Sequence, residues 1–149
     1  MLFRSSDANI PCLYVFVEEL DVHMECLWRG CGEPKRHEDV LVRTEDGTYY
    51  SGVIRNIYHI TENEMLNQRS SLMVAYPAPT GEEVDVIVVR LDQERKDFDR
   101  LWLHEKPVNV NDRVKVMISE DEEAEGKVIY SYKVDRQSMH SYSADVYPI

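Results

Sequence analysis

Cysteine is scarce in this chain: only Cys12, Cys26 and Cys31 occur in 149 residues. A small, odd count with no secretory leader ahead of it points to reduced thiols, not a disulfide framework. Glycine is scarce too. The six glycines form no G-x-G-x-x-G, no Walker-type phosphate loop and no G-x-S-x-G elbow, which removes the commonest nucleotide-binding and serine-hydrolase signatures. No apolar run approaches the ~20 residues that span a bilayer. The short patch from Leu13 to Val17 runs straight into Glu18 and Glu19 without a small-residue cleavage site, so no signal peptide is read. The expectation is a soluble, cytoplasmic protein.

Positive charge is in the minority. Lys and Arg number 17 against 28 Asp and Glu, a formal net charge of -11. A surface of that sign repels nucleic-acid phosphates and anionic membranes, whose binding needs clustered bases. It favours a basic protein partner. Hydrophobic residues at 43% and charged residues at 30% are a globular balance. The length suits a single domain over 1–149, with 1–10 as a loose arm and 136–149 as an extended tail.

Hydrophobic periodicity supplies the elements. Leu13, Phe16, Val17, Leu20, Met24, Leu27 and Trp28 recur at i, i+3, i+4 and i+7, the stripe of an amphipathic helix. Pro11 suits its first turn and Gly30 its stop. A strand over 12–17 is the alternative, because Val15 and Val17 are β-branched. Val40, Val42 and Thr44 alternate with Leu41, Arg43 and Glu45, Asp46-Gly47 offers a type I′ turn, and Thr48 to Tyr58 returns as the second strand of a hairpin. Residues 61–70 read as a connection or short helix, 72–76 as a strand, and 84–89 as a central strand covered on both faces. Asp92 suits the cap of a helix over 93–103 with Phe98, Leu101 and Trp102 inward. Val114, Val116 and Ile118, then Val128, Tyr130, Tyr132 and Val134, keep strand parity across a long acidic hairpin loop. The sum is an α+β fold, a mostly antiparallel sheet of five or six strands with two helices packed against it.

Two constellations could carry chemistry. His23, Cys26, Cys31 and His37 place two thiols and two imidazoles within fifteen positions, the ligand types of a structural zinc site, although no C-x2-C knuckle is present. Zinc is the one cofactor the sequence suggests. His59-Ile60-Thr61 resembles one half of the paired H-x-T signature of two-histidine phosphoesterases, whose two copies supply acid and base; no second copy follows His104 or His140.

The acidic loop of Glu120, Asp121, Glu122, Glu123 and Glu125 lacks the order of an EF-hand loop. It reads as a docking site for a basic partner, in keeping with nine tyrosines available for interface contacts. The chain is therefore expected to be a protein-binding domain of the inhibitor, immunity or anti-defence kind, encoded by a cell, virus or mobile element. The alternatives are a small enzyme or ligand-binding domain built on the His/Cys cluster or His59, and an assembly subunit forming a homo-oligomer.

Overall fold

Strands make up nearly all of the regular structure. In a computed structural model, residues 9–68, 72–119 and 122–149 are described. They form ten strands, one short α-helix and two 3-10 turns. The chain divides into two compact units, Met1–Ala78 and Pro79–Ile149.

The first unit is a closed barrel of five strands, β1 (Ile10–Val17), β2 (Val22–Trp28), β3 (Asp39–Arg43), β4 (Tyr49–Ile60) and β5 (Met73–Pro77). Around the barrel the order is β1-β2-β5-β3-β4. An odd ring cannot be antiparallel throughout, and the required parallel pair is β2 with β5. Strand β4 closes the ring because it is long enough to serve two neighbours. Tyr49 to Val53 pair with β3, and Val53 to Ile60 pair with β1. Leu13, Val15, Val17, Cys26, Val40, Val42, Ile54 and Ala75 fill the interior. A second cluster of Cys12, Leu27 and Ile60 packs with Met65 of helix α1 (Glu62–Gln68).

The expected hairpin over 40–58 is present, with a different turn. Gly47 (φ +86°) is left-handed and Asp46 is not, so the turn from Thr44 ends on one left-handed glycine, Gly47, in place of a type I′ pair. The Gly47 N–H donates to the Thr44 carbonyl at 3.0 Å, and the Thr48 N–H donates to the Asp46 carboxylate at 3.1 Å.

The second unit is an antiparallel sheet in the order β10-β8-β9-β6-β7. Its strands are β6 (Glu83–Leu91), β7 (Asp97–Trp102), β8 (Arg113–Met117), β9 (Glu123–Asp135) and β10 (Val146–Pro148). It curls into a half-barrel over Ile87, Val89, Leu91, Trp102, Val114, Val116, Val128 and Val146. Strand β6 buries both faces, through Val84 and Val86 on one side and Ile87 and Val89 on the other. The tail is ordered by a 3-10 turn (Ser138–Ser141) and by β10, which pairs with β8.

The α+β expectation is overturned, and so are both of its helices. Residues 10–28 are the β1–β2 hairpin, turned by a 3-10 segment at Glu18–Leu20 and a left-handed Asp21. Both faces of this hairpin bury apolar groups, Leu13, Val15 and Cys26 inward and Cys12 and Leu27 toward α1. Apolar residues therefore occur at both parities and imitate a helical stripe. Leu20, a member of that stripe, is 40% exposed at the turn. Residues 97–102 are likewise a strand: Phe98 and Trp102 share a parity and meet the core, while Leu101 is buried on the opposite face.

One buried polar group ties the tail down. His104 lies beneath Trp102 and Tyr147, and its Nε2 is 2.7 Å from the Val146 carbonyl oxygen. Burial pushes its pKa below the ordinary 6.5, only partly offset by the Val146 carbonyl. Below pH 6.5 the unfolded chain therefore takes up the proton first, and stability falls as pH drops through the window beneath that value. Urea midpoints at pH 5.5 and 7.5 check this. His104→Gln, which keeps a donor for Val146 but does not titrate, should show a smaller difference between the two pH values than the parent chain.

Candidate functional site

The β1–β2 hairpin carries the most unusual surface of the barrel. Register pairs Phe16 with His23 and Tyr14 with Glu25, so these four side chains share the outer face while Leu13, Val15 and Val17 point inward. His23 stacks on Tyr14 (centroids 4.8 Å apart, planes 9° apart) and lies 4.9 Å from Phe16. The Arg55 guanidinium from β4 sits 5.5 Å from the Phe16 ring. The Tyr58 hydroxyl donates to Glu25 at 3.0 Å; burial, reinforced by that bond, pushes the phenol pKa up. Leu20 and Val22 are exposed at the tip. Of the six large apolar side chains that stand out into solvent among the described residues, Tyr14, Leu20 and Val22 belong to this one hairpin.

Its charge is one-sided. Residues 10–28 hold Glu18, Glu19, Asp21 and Glu25 and no Lys or Arg. Glu18, Glu19 and Asp21 are exposed and make no ion pair with any described residue. The result is an apolar, aromatic centre with an acidic border. Sequence reasoning missed it because the helix reading scattered these residues around a cylinder. The discoverable signal was the alternation of Tyr14 and Phe16 with Val15 and Val17, together with the absence of bases over nineteen positions.

The acidic hairpin loop expected to dock a partner is described in part. Glu120 and Asp121 lie outside the described residues. Glu122 belongs to the turn, and Glu123 and Glu125 lie on β9. Lys115 pairs with Glu123 at 3.6 Å, and Arg113 reaches Glu125 at 3.9 Å while forming a two-pronged pair with Asp92. These carboxylates border an open polar groove of about 400 Å³ with Asp92 and Glu94. Two of the three described loop carboxylates are thus already met by cations of the neighbouring strand.

The four residues of the zinc constellation are not brought together. His23 is on the outer face of β2, engaged with two aromatic rings. Cys26 is in the barrel core, its thiol directed at the Met24 carbonyl. Cys31 and His37 are exposed in the loop between β2 and β3. Burial pushes the Cys26 thiol up to about 12 and the Cys12 thiol up to about 11, with Glu25 adding to both. A metal needs the thiolate, which these sites disfavour. Among the described residues no group of three or more His, Cys, Asp or Glu side chains is placed to hold a metal ion.

The H-x-T triplet has a structural explanation. Thr61 caps α1: its hydroxyl accepts from the Glu64 N–H at 3.2 Å, and Glu64 accepts from the Thr61 N–H at 3.2 Å. That reciprocal pair is a capping box. Ile60 is buried and His59 is exposed on β4.

No protein-family model, curated protein or solved structure matches the chain. Its function is therefore argued from its own surfaces. Among the described residues no helix is long and apolar enough to cross a membrane.

Proposed function

We propose that this protein is a binding module, of the inhibitor or adaptor kind, that docks a basic protein partner on the β1–β2 hairpin. The observation that carries this reading is the outward pair Tyr14 and Phe16 on a hairpin whose tip exposes Leu20 and Val22 and whose charged side chains are four carboxylates. Interfaces put aromatic anchors at a desolvated centre and charge at the rim. Tyr14 is suited to the anchor role, because the His23 stack fixes its ring before binding and lowers the ordering cost. The acidic rim steers a basic partner and raises its association rate. A second copy of the same face is disfavoured, since it would set Glu18, Glu19 and Asp21 against their own equivalents.

The test uses basic peptides selected on the intact chain from a random display library. Tyr14→Ala should weaken the selected peptides about tenfold or more, the loss expected of an aromatic anchor. Glu18→Lys with Asp21→Lys should slow association and flatten its salt dependence. Tyr130→Ala, removing the most exposed tyrosine of the second unit (59% exposed), should change nothing. If Tyr14→Ala leaves binding intact while Glu94→Lys and Glu122→Lys abolish it, the site is the acidic groove and this reading fails.

A further inference from the structure

The second unit carries a cavity that the docking reading does not use. The sheet order leaves β7 and β10 as edges that do not pair with each other. A cavity of about 340 Å³ opens beside the ends of these strands, walled by Trp102, Pro107, Val108, Val114, Pro148 and Ile149. Trp102, Val108 and Val114 also belong to the half-barrel core, so the cavity is a mouth of that core. Its size falls in the range of small-molecule sites, which favour barrel mouths with apolar walls and few polar groups.

Those polar groups have a definite state. The Trp102 indole N–H donates to the Lys106 carbonyl at 2.7 Å, which holds the segment bearing Lys106 at the wall. The Asp112 carboxylate accepts from the Asn109 N–H at 2.8 Å. Arg113 is taken up by Asp92 and Glu125. Lys106 alone is a cation of the wall with no ion pair to any described residue. Apolar side chains over part of the wall and one ammonium without an ion pair, with Asp112 as the wall's one carboxylate side chain, complement a molecule with an apolar body and one anionic end.

We propose that this cavity binds a small amphipathic carboxylate, its apolar body against Trp102, Val108 and Val114 and its charge met by Lys106. The selectivity is diagnostic because it opposes the net charge. A chain of -11 attracts cations and repels anions at long range, so a preference for the anion must come from a local cation.

Octanoate, octanol and octylammonium are the probes, titrated into the full chain by calorimetry. Trp102 emission is followed in parallel in a Trp28→Phe background, where it is the remaining tryptophan. Octanoate should saturate a single site, shift the Trp102 emission and bind more tightly than octylammonium. Lys106→Gln, an exposed change, should weaken octanoate about fivefold to tenfold while leaving octanol unchanged. Val108→Phe, which narrows the recess, should weaken both; circular dichroism of that variant checks that it is folded. Absence of saturable octanoate binding, a preference for octylammonium, or an octanoate affinity indifferent to Lys106→Gln would each overturn the proposal.

Discussion

Gly126→Ala is expected to destabilise the chain by about 3 kcal/mol, toward the upper end of what overpacking costs. Gly126 lies on β9, between Val114 of β8 and Leu91 of β6. A Cβ placed there would stand 2.6 Å from the Arg90 carbonyl oxygen and 2.8 Å from a Val89 methyl. The first of these is backbone in a paired strand, and the second belongs to a fully buried side chain. Neither can swing away as the end of a long surface side chain would, so the strands must separate and lengthen their ladder bonds. Gly32→Ala is the control. A Cβ there meets nothing within 4 Å, and its effect should stay within about 0.5 kcal/mol, as at ordinary surface positions. Urea unfolding of the two variants measures the contrast. Equal midpoints would show that β9 yields locally and that the close approach costs little.

How much of this was legible in the sequence depends on which faces each strand buries. The β3–β4 hairpin was readable because the β-branched Val40, Val42 and Thr44 precede Asp46-Gly47, which punctuates the return. Strands β8 and β9 were readable from their parity, and the β6 run from Val84 to Val89 correctly announced burial on both sides. The β1–β2 hairpin was legible only through the strand alternative over 12–17, and β2 and β7 were not. Cys12 beside Leu13, Cys26 beside Leu27, and Leu101 beside Trp102 put apolar groups on both faces of short strands, and that pattern fits a 3.6-residue period as well as a two-residue one. Closure of the barrel through the parallel β2–β5 pair joins residues nearly fifty positions apart, and no local period reports it. The candidate sites followed suit. The clustering of His23, Cys26, Cys31 and His37 presumed a helix end that would gather them; a strand sends His23 outward and Cys26 inward. The carboxylates of the acidic loop were visible, but their partners Arg113 and Lys115 became neighbours only through the β8–β9 register.

Ile54→Ala and Tyr14→Ala should separate folding from binding within the barrel. Ile54 is fully buried among Val15, Val40 and Ala75. Its truncation removes apolar contact and leaves a cavity that strands closed into a ring cannot readily fill. The expected cost is about 4 kcal/mol, within the range for large-to-small core changes. That is a large share of the total for a domain of this size. Tyr14 is 41% exposed and its main contact is the His23 ring. Losing that stack should cost about 1 kcal/mol. Binding should respond in the opposite order. At a temperature where Ile54→Ala remains folded, its affinity for a selected basic peptide should match the parent chain, because Ile54 faces inward. Tyr14→Ala should lose that affinity while unfolding almost normally. The pair is measured by urea denaturation and by peptide titration on the same preparations. If Tyr14→Ala costs as much stability as Ile54→Ala, the hairpin's aromatic face is part of the fold's own support. Its exposure would then no longer argue for a partner.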